Sequence, residues 1–274
     1  MRAFSFFLPL LVLLGITCGA QAEPVEFPGV DASLEGEMFL PKGKGPFPAV
    51  VSLHGCGGLS GKDGGLSPRH ADWAKRLTDA GFVVLFPDSF GSRDIEGQCR
   101  ASEREVRAYR ERIGDALAAA AYLKTRADVK PEAINLLGWS NGGSTVLYTL
   151  REMAKREGEQ SFAKAVAFYP GCRVPLERGN WHTRVPFLLL IGEADDWTPA
   201  EPCKRLVGDA EAAGEPASIV TYPGAYHDFD HPGLAIHVRR GLAYTAHGNG
   251  RAHTGTNIAA RADAITRVMA FLAR

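Results

Sequence analysis

Runs of consecutive apolar residues alternate along the chain with stretches of helical spacing. Residues 48–53, 82–86 and 187–191 are apolar at nearly every position, rather than at every second one. Strands of this kind are typically buried on both faces of a parallel sheet, with helices in the connections. The pattern therefore predicts an α/β fold with a mostly parallel central sheet and helices on both faces, a three-layer sandwich.

The remaining segments extend the same alternation. Further predicted strands cover residues 134–137, 165–168 and 217–222, with a less buried antiparallel pair within 26–40. Predicted helices cover residues 73–80, 103–124, 142–155 and 259–272, and predicted loops cover 55–65 and 246–256. Repeats and linkers are not evident, so one domain over residues 23–274 is the economical interpretation.

The N-terminus has the pattern of an export signal. Arg2 precedes an apolar stretch at 6–16 that is short for a membrane span, and the small residues of Ala20-Gln21-Ala22 follow. A basic start, an apolar core and small residues at the cleavage position typify secretory signals. We expect residues 1–22 to be a signal peptide, and the mature protein to be periplasmic or secreted after cleavage near Ala22.

Cysteine usage fits that compartment. Cys18 falls within the predicted signal, where a lipid anchor on this residue is an alternative to plain cleavage. Four cysteines remain in the predicted mature chain: Cys56, Cys99, Cys172 and Cys203. An even number of cysteines in an exported chain indicates disulfides. Of the three pairings we favour Cys56–Cys99 and Cys172–Cys203, the nearest in sequence, which tie loops at one end of the sheet. Four reduced thiols are the alternative.

The charge balance narrows the range of partners. The chain has 31 basic and 31 acidic residues, so its formal net charge is zero. A basic patch for nucleic acid is not indicated, and no membrane partner is expected once the signal is removed. The catalytic or binding function must therefore be inferred from local motifs.

One motif joins a predicted strand to a predicted helix. Residues 138–142 read Gly-Trp-Ser-Asn-Gly. The pattern is weak evidence alone, because chance matches are common in a glycine-rich chain and a plain strand-to-helix turn would also explain it. Between a strand and a helix, however, it is typical of a nucleophile elbow, which holds a serine hydroxyl at the end of a sheet. Ser140 is the predicted nucleophile.

A serine nucleophile needs a base and an orienting carboxylate, and in the elbow fold the chain order is serine, acid, histidine. Asp195 follows the strand at 187–191, on the edge of the sheet where ligands bind. We select Asp195 as the acid. Asp196 and Glu193 are the alternatives.

The histidine is chosen by the same reasoning. His227 lies just past the strand at 217–222 and can reach a serine at the same edge of the sheet. We therefore predict that His227 is the base. The competing histidines lie farther from a strand end: His231, His237, His247 and His253.

A glycine-rich stretch after the first buried strand suits anion stabilisation. Residues 54–58 read His-Gly-Cys-Gly-Gly, and small residues leave backbone amides free to face an oxyanion. We assign the oxyanion donors to the amides of Cys56 and Asn141. The alternative is a merely flexible loop.

Residues 227–231 with Asp195 or Asp196 could also be drawn as a metal cluster. The stretch offers no third histidine at short spacing, and Phe229 within it suggests a packed loop. We expect no metal and no cofactor.

Taken together, these motifs resemble the dienelactone hydrolase family of α/β hydrolases. The resemblance covers most of the mature chain, in order, and is carried by the stretches "HGCGG" at 54–58, "PDSFGSR" at 87–93, "GWSNGG" at 138–143, "FYPGC" at 168–172, "GEADDWTPAEPC" at 192–203 and "YPGAYHDFD" at 222–230. It implies an α/β-hydrolase domain without a lid and with the triad Ser140, Asp195 and His227. The enzymes that gave the family its name carry cysteine at the elbow, whereas this chain carries serine, which favours a broader carboxylic-ester hydrolase.

The predicted function is hydrolysis of small-molecule esters or lactones by a Ser-His-Asp acyl-enzyme mechanism. Arg93 and Trp197 are candidates for substrate binding, although a loop-bracing role for Arg93 is the stronger alternative. A related serine peptidase and a non-catalytic binding protein with an inactive triad are the competing functions. The oligomeric state is not predicted.

Overall fold

The computed structural model describes residues 22–61, 63–154, 161–179 and 181–273. The predicted signal peptide lies outside the described residues, apart from Ala22. Within the described ranges, no helix has both the length and the apolar character needed to cross a membrane.

One large sheet organises the described chain. Its eight strands are ordered β1-β2-β4-β3-β5-β6-β7-β8. The strands are β1 (Ala22–Pro28), β2 (Ser33–Phe39), β3 (Phe47–Leu53), β4 (Val83–Pro87), β5 (Val129–Trp139), β6 (Ala165–Phe168), β7 (Phe187–Gly192) and β8 (Ala217–Tyr222). The helices are α1 (Pro68–Asp79), α2 (Glu111–Lys124), α3 (Asn141–Ala154), α4 (Arg173–Glu177), α5 (Ala200–Ala212) and α6 (Ile258–Ala273).

The sheet is parallel from β4 to β8 and antiparallel at one edge. β1 and β2 form an antiparallel pair, and β2 joins β4 in the same sense. β3 is central, with Val51 opposite both Leu85 of β4 and Leu136 of β5. Parallel strands bring their carboxyl ends to one edge, so the loops after β3, β5, β7 and β8 gather there. The predicted fold, a mostly parallel α/β-hydrolase sheet covered by helices, is confirmed.

Aromatic packing secures the strand that ends at Ser140. Trp139, the last residue of β5, is fully buried and stacks between Phe86 and Phe168, with ring centroids 6.3 and 6.0 Å away. Trp73 of α1 packs against the rings of both Trp139 and Phe168. Aromatic pairs of this kind contribute about 0.5–1.5 kcal/mol beyond the burial of their area. The end of β5 is therefore rigidly placed before the elbow begins.

The predicted helix at 103–124 is wrong in its first third, because α2 begins only at Glu111. The Gln98 side chain accepts a hydrogen bond from the backbone of Glu105 at 2.8 Å and donates one to the carbonyl of Val106 at 3.0 Å. These contacts hold the segment in an irregular path, so tertiary contacts override its local helical preference.

The predicted loop at 246–256 also contains regular structure. Strand β10 (Arg251–Thr254) pairs antiparallel with β9 (His237–Arg240) in a separate two-stranded ribbon. Thr254 forms an isolated bridge with His227, and the amide of His253 donates to Asp196 Oδ1 at 2.7 Å. The ribbon therefore braces the loops that follow β7 and β8.

The structure contains two disulfides, in the favoured pairing. Cys56 is bonded to Cys99, and Cys172 is bonded to Cys203, across sequence separations of 43 and 31. In the chain-entropy model, loops of these lengths stabilise the folded state by roughly 4 kcal/mol each. The first disulfide ties the loop after β3 to the loop after β4, and the second ties the loop after β6 to α5. Both are compatible with an exported protein.

Candidate active site

Ser140 occupies a strained turn between β5 and α3. Its φ of 53° lies in the left-handed region, which residues other than glycine rarely adopt. The neighbouring glycines permit close approach: a Cβ on Gly138 would lie 2.4 Å from the carbonyl oxygen of Gly142, and one on Gly142 would lie 2.1 Å from that of Leu53. This is the geometry of a nucleophile elbow, in which strain presents the serine hydroxyl at the top of the sheet.

A continuous chain of hydrogen bonds links Ser140 to a buried carboxylate. Ser140 Oγ lies 2.9 Å from His227 Nε2, and His227 Nδ1 lies 2.8 Å from Asp195 Oδ2. The side chains of His227 and Asp195 are buried. The carboxylate ordinarily fixes Nδ1 as the protonated nitrogen, which leaves Nε2 free to accept a proton from the serine.

The structure distinguishes Asp195 from its neighbouring acids. Asp195 Oδ1 accepts hydrogen bonds from the backbone amides of Trp197 and Thr198, at 2.9 and 2.8 Å, which aim Oδ2 at the imidazole. Asp196 instead pairs with His253, at 2.7 Å, and Glu193 pairs with Lys204, at 3.1 Å. Of the three candidate acids, only Asp195 contacts the predicted base.

The other candidate histidines do not take part in this chain. His253 is bonded to Asp196, and His237 Nδ1 lies 2.9 Å from the carbonyl oxygen of Ala235. Among the described residues, His227 alone hydrogen bonds to both Ser140 and Asp195.

Thr198 is a part of this arrangement that sequence reasoning missed. Its hydroxyl lies 3.1 Å from Asp195 Oδ2 and 3.1 Å from His227 Nδ1, and donates to the carbonyl oxygen of Tyr169 at 3.0 Å. In the sequence, Thr198 lies three residues after Asp195, which could have indicated a role beside the acid. The same position also fits a helix-capping role.

The electrostatic environment favours a charged His227. Burial of the ring opposes the imidazolium, but the charge of Asp195 and its hydrogen bond outweigh burial and raise the pKa of His227 above its ordinary value. A proton on this imidazole is therefore held more tightly than on a free histidine.

The loop at 54–58 lies against Ser140, as the oxyanion assignment requires. A Cβ on Gly55 would lie 3.7 Å from the Cβ of Ser140. Asn141 is the first residue of α3, and the first N–H groups of a helix have no partner within it. Cys56 and Asn141 both line the cavity that opens at Ser140. Both residues therefore border the space beside the Ser140 side chain.

A buried arginine supports Asn141, and the sequence offered no signal for it. Arg112 of α2 is fully buried, and its guanidinium donates to Asn141 Oδ1 at 2.6 Å. Burial lowers the pKa of Arg112 to about 10, so the group remains charged at neutral pH. Arg112 therefore holds the residue after Ser140 and places positive charge behind it.

The loop that carries His227 is anchored by Asp230, another residue that sequence reasoning missed. Asp230 is fully buried and accepts hydrogen bonds from the indoles of Trp73 and Trp139, at 2.8 and 2.9 Å, and from the hydroxyl of Tyr169, at 2.5 Å. The carboxylate thus joins the His227 loop to α1 and to the ends of β5 and β6.

The acidic residues beside His227 have partners other than a metal. Asp228 forms an ion pair with Arg69, while Asp230 is bonded as described above. Within the described ranges, no group of three or more histidine, cysteine, aspartate or glutamate side chains is placed to hold a metal ion.

A cavity of about 660 Å³ opens beside Ser140. Trp197 lines it and packs its ring 4.7 Å from that of His227. Arg93 does not line it: this side chain donates to Asp115 at 2.8 and 3.1 Å and forms a second ion pair with Asp31. The candidate role of Arg93 in substrate binding therefore does not fit the structure, because its guanidinium is engaged in bracing loops away from the cavity.

Comparison with known proteins assigns the chain to a family. The sequence profile described as "Dienelactone hydrolase family" matches residues 34–274. The chain belongs to this family. Membership of this family, together with the esterases among its relatives, identifies the protein as an ester-bond hydrolase. The substrate of this protein is accordingly a small-molecule ester.

Individual relatives span a range of esterases. The esterase EstD of Thermotoga maritima is 34% identical over 128 residues, which cover 46% of this chain and 29% of that protein. The dienelactone hydrolase-like promiscuous phosphotriesterase P91, from metagenomic libraries, is 19% identical with a TM-score of 0.69 over 93% of this chain and 98% of that one. Esterase 2 of Thermogutta terrifontis, solved after phosphoramylation by tabun, is 18% identical with a TM-score of 0.62 over 92% and 94%. At this identity the two solved structures establish a shared fold.

Proposed function

We propose that this protein is an exported serine esterase that cleaves carboxylic esters or lactones through an acyl-enzyme on Ser140. The observation that carries the proposal is the hydrogen-bonded chain from Ser140 Oγ through His227 to the buried carboxylate of Asp195, with distances of 2.9 and 2.8 Å. Such a chain supplies the base and the orienting acid that a serine nucleophile requires.

In the acylation step, His227 Nε2 takes the proton from Ser140 while Oγ attacks the carbonyl carbon of the ester. The carbonyl oxygen becomes an oxyanion, which the amides of Cys56 and Asn141 stabilise. Collapse of this intermediate breaks the bond to the alcohol, and the imidazolium of His227 protonates the departing oxygen. One oxyanion donor commonly lowers such a barrier by roughly 3–4 kcal/mol.

In the deacylation step, water replaces the alcohol. His227 accepts a proton from the water as its oxygen attacks the acyl carbonyl, and then returns that proton to Ser140 when the acid is released. Asp195 keeps the imidazole in the useful tautomer in both steps, and the Thr198 hydroxyl, 3.1 Å from both of them, helps to hold this orientation.

Export is proposed from two independent features. The N-terminal pattern at 1–22 fits a cleavable signal, and the Cys56–Cys99 and Cys172–Cys203 disulfides suit an oxidising compartment. The periplasm and the exterior of the cell are equally compatible with both features.

A fluorophosphonate probe tests the nucleophile and the export proposal together. Because the organophosphate tabun modifies the structurally similar esterase 2, we expect this probe to form a single adduct on Ser140 of the protein isolated from outside the cytoplasm. Intact mass would show the adduct on a chain that starts near residue 23, and peptide mapping would locate it. A chain that stays unlabelled, while an active esterase in the same sample is labelled, would support the non-catalytic binding function instead.

A parallel panel of p-nitrophenyl esters and peptide anilides separates an esterase from a peptidase.

The pH dependence of activity should report His227. The imidazole must be neutral to accept the Ser140 proton, so activity falls as the pH is lowered through its pKa in the free enzyme. Since Asp195 raises that pKa, kcat/KM should reach half its plateau above pH ~6.5, the ordinary histidine value. Two esters of different intrinsic reactivity should share this midpoint; a midpoint well below pH 6 would contradict the assignment.

A further inference from the structure

Two cavities meet at Ser140. The larger, here called the chamber, has a volume of about 660 Å³, and the smaller, here called the recess, has about 130 Å³. Cys56, Ser140 and Trp197 line both cavities. His227 lines only the recess, whereas Asn141 lines only the chamber.

The position of His227 determines which part of an ester enters each cavity. If His227 is the base, its Nε2 must reach the oxygen of the departing alcohol in order to protonate it. That oxygen therefore lies on the side that His227 lines, which is the recess. The acyl chain leaves the tetrahedral carbon in another direction, and the remaining space beside Ser140 is the chamber.

The recess is the smaller cavity, and covalent and ionic contacts brace parts of its lining. Liquid water occupies about 30 Å³ per molecule, so 130 Å³ corresponds to roughly four non-hydrogen atoms. The Cys56–Cys99 disulfide closes one wall. The Arg69–Asp228 ion pair closes another, with side chains only 12% and 14% exposed. An alcohol of one to three carbons fits within this space, whereas a bulky one has to extend beyond its walls.

The chamber suits a larger group. Its volume lies within the range of pockets that enclose drug-sized ligands. The Arg104 guanidinium lies over the ring of Tyr244, at 5.1 Å, and Tyr109 meets Tyr148 edge to face, at 5.9 Å. Among the described residues, Arg104 Nε has no hydrogen-bond partner. Aromatic rings and guanidinium planes offer stacking surfaces to an aromatic acyl group.

We propose that the preferred substrates are esters of a bulky aromatic acid with a short alcohol, the acyl group lying in the chamber and the alcohol in the recess. This inference rests on the proposed function, because it uses the roles of Ser140 and His227. It goes further by assigning a direction to the bound ester.

A pair of isomeric esters tests the direction. Methyl 4-phenylbutanoate has a bulky acyl group and a short alcohol, while 3-phenylpropyl acetate has the same atoms with the two sizes exchanged. Both release a primary alcohol, so rates normalised to alkaline hydrolysis compare binding directions. We expect kcat/KM to be higher for methyl 4-phenylbutanoate by roughly tenfold or more. Equal or reversed values would overturn the assignment.

A variant of the chamber rim provides a second readout. Val174 lines the chamber and is 44% exposed, so Val174→Trp should fold normally and fill part of this space. It should lower kcat/KM for methyl 4-phenylbutanoate by about tenfold, and change that for 3-phenylpropyl acetate by less than about twofold. Val30→Trp, at an 80% exposed position that lines neither cavity, is the matched control.

The outcomes separate this inference from the function beneath it. If Val174→Trp slows both isomers equally, or only the acetate, the acyl group does not occupy the chamber, although the protein remains an esterase. If neither isomer nor p-nitrophenyl acetate is hydrolysed by the unaltered protein, the proposed function fails and the inference fails with it.

Discussion

Replacing Ser140 with alanine should lower kcat/KM for p-nitrophenyl acetate by at least about 10⁴-fold, the scale seen when a triad member is removed from a serine hydrolase. The physical reason is that Ser140 supplies the hydroxyl that is hydrogen bonded to His227 Nε2. Alanine also removes an Oγ whose presentation depends on a left-handed φ of 53°. Steady-state kinetics with purified protein measures the loss.

The control for this result is a serine elsewhere on the surface. Ser33 donates to Glu26 in an exposed pair on the edge of the sheet, so Ser33→Ala should leave kcat/KM within about twofold, as surface substitutions usually do. Circular dichroism and the urea midpoint should show that Ser140→Ala remains folded. If the folded Ser140→Ala protein keeps more than a tenth of the original kcat/KM, Ser140 is not the nucleophile.

Replacing Asp230 with alanine should destabilise the fold by about 3–5 kcal/mol, because three buried hydrogen-bond donors lose their shared acceptor. Two indole N–H groups and the Tyr169 hydroxyl all donate to this carboxylate, which is fully buried. After the substitution these donors would remain buried without an acceptor, and each unpaired group costs about 1–3 kcal/mol. Urea unfolding with linear extrapolation measures the difference.

A solvated carboxylate is the comparison for Asp230. Asp79 pairs with Lys75 at 2.5 Å, but the two side chains are 62% and 75% exposed. Exposed pairs contribute little, so Asp79→Ala should change stability by less than about 1 kcal/mol. A similarly small loss for Asp230→Ala would mean that the network does not hold the His227 loop to α1, β5 and β6.

The fold and the three triad candidates were accessible from the sequence because their signals are local. Uninterrupted apolar segments indicate strands buried on both faces, and their alternation with helices indicates a parallel sheet. In such a sheet the carboxyl ends of the strands share one edge. Ser140, Asp195 and His227 each follow a strand, so chain order and strand ends suffice to nominate them.

Other features needed the folded chain, because they depend on which distant groups meet. Residues 103–110 have helical composition, but Gln98 holds their backbone in another path. Arg93 looked available for a ligand until the fold placed Asp31 and Asp115 against it. Local propensity carries no information about such partners, since they lie between 7 and 62 residues away.

By itself, then, the sequence determined the sheet, the elbow and the order of the three candidate side chains, since these follow from periodicity and from neighbours along the chain. Only the tertiary structure decided that Asp195 rather than Asp196 faces the imidazole, that Arg112 supports Asn141, and that Asp230 anchors the His227 loop. The reason is that a hydrogen bond is specified by distance and direction between groups, and for residues far apart in the chain those quantities exist only once the fold has formed.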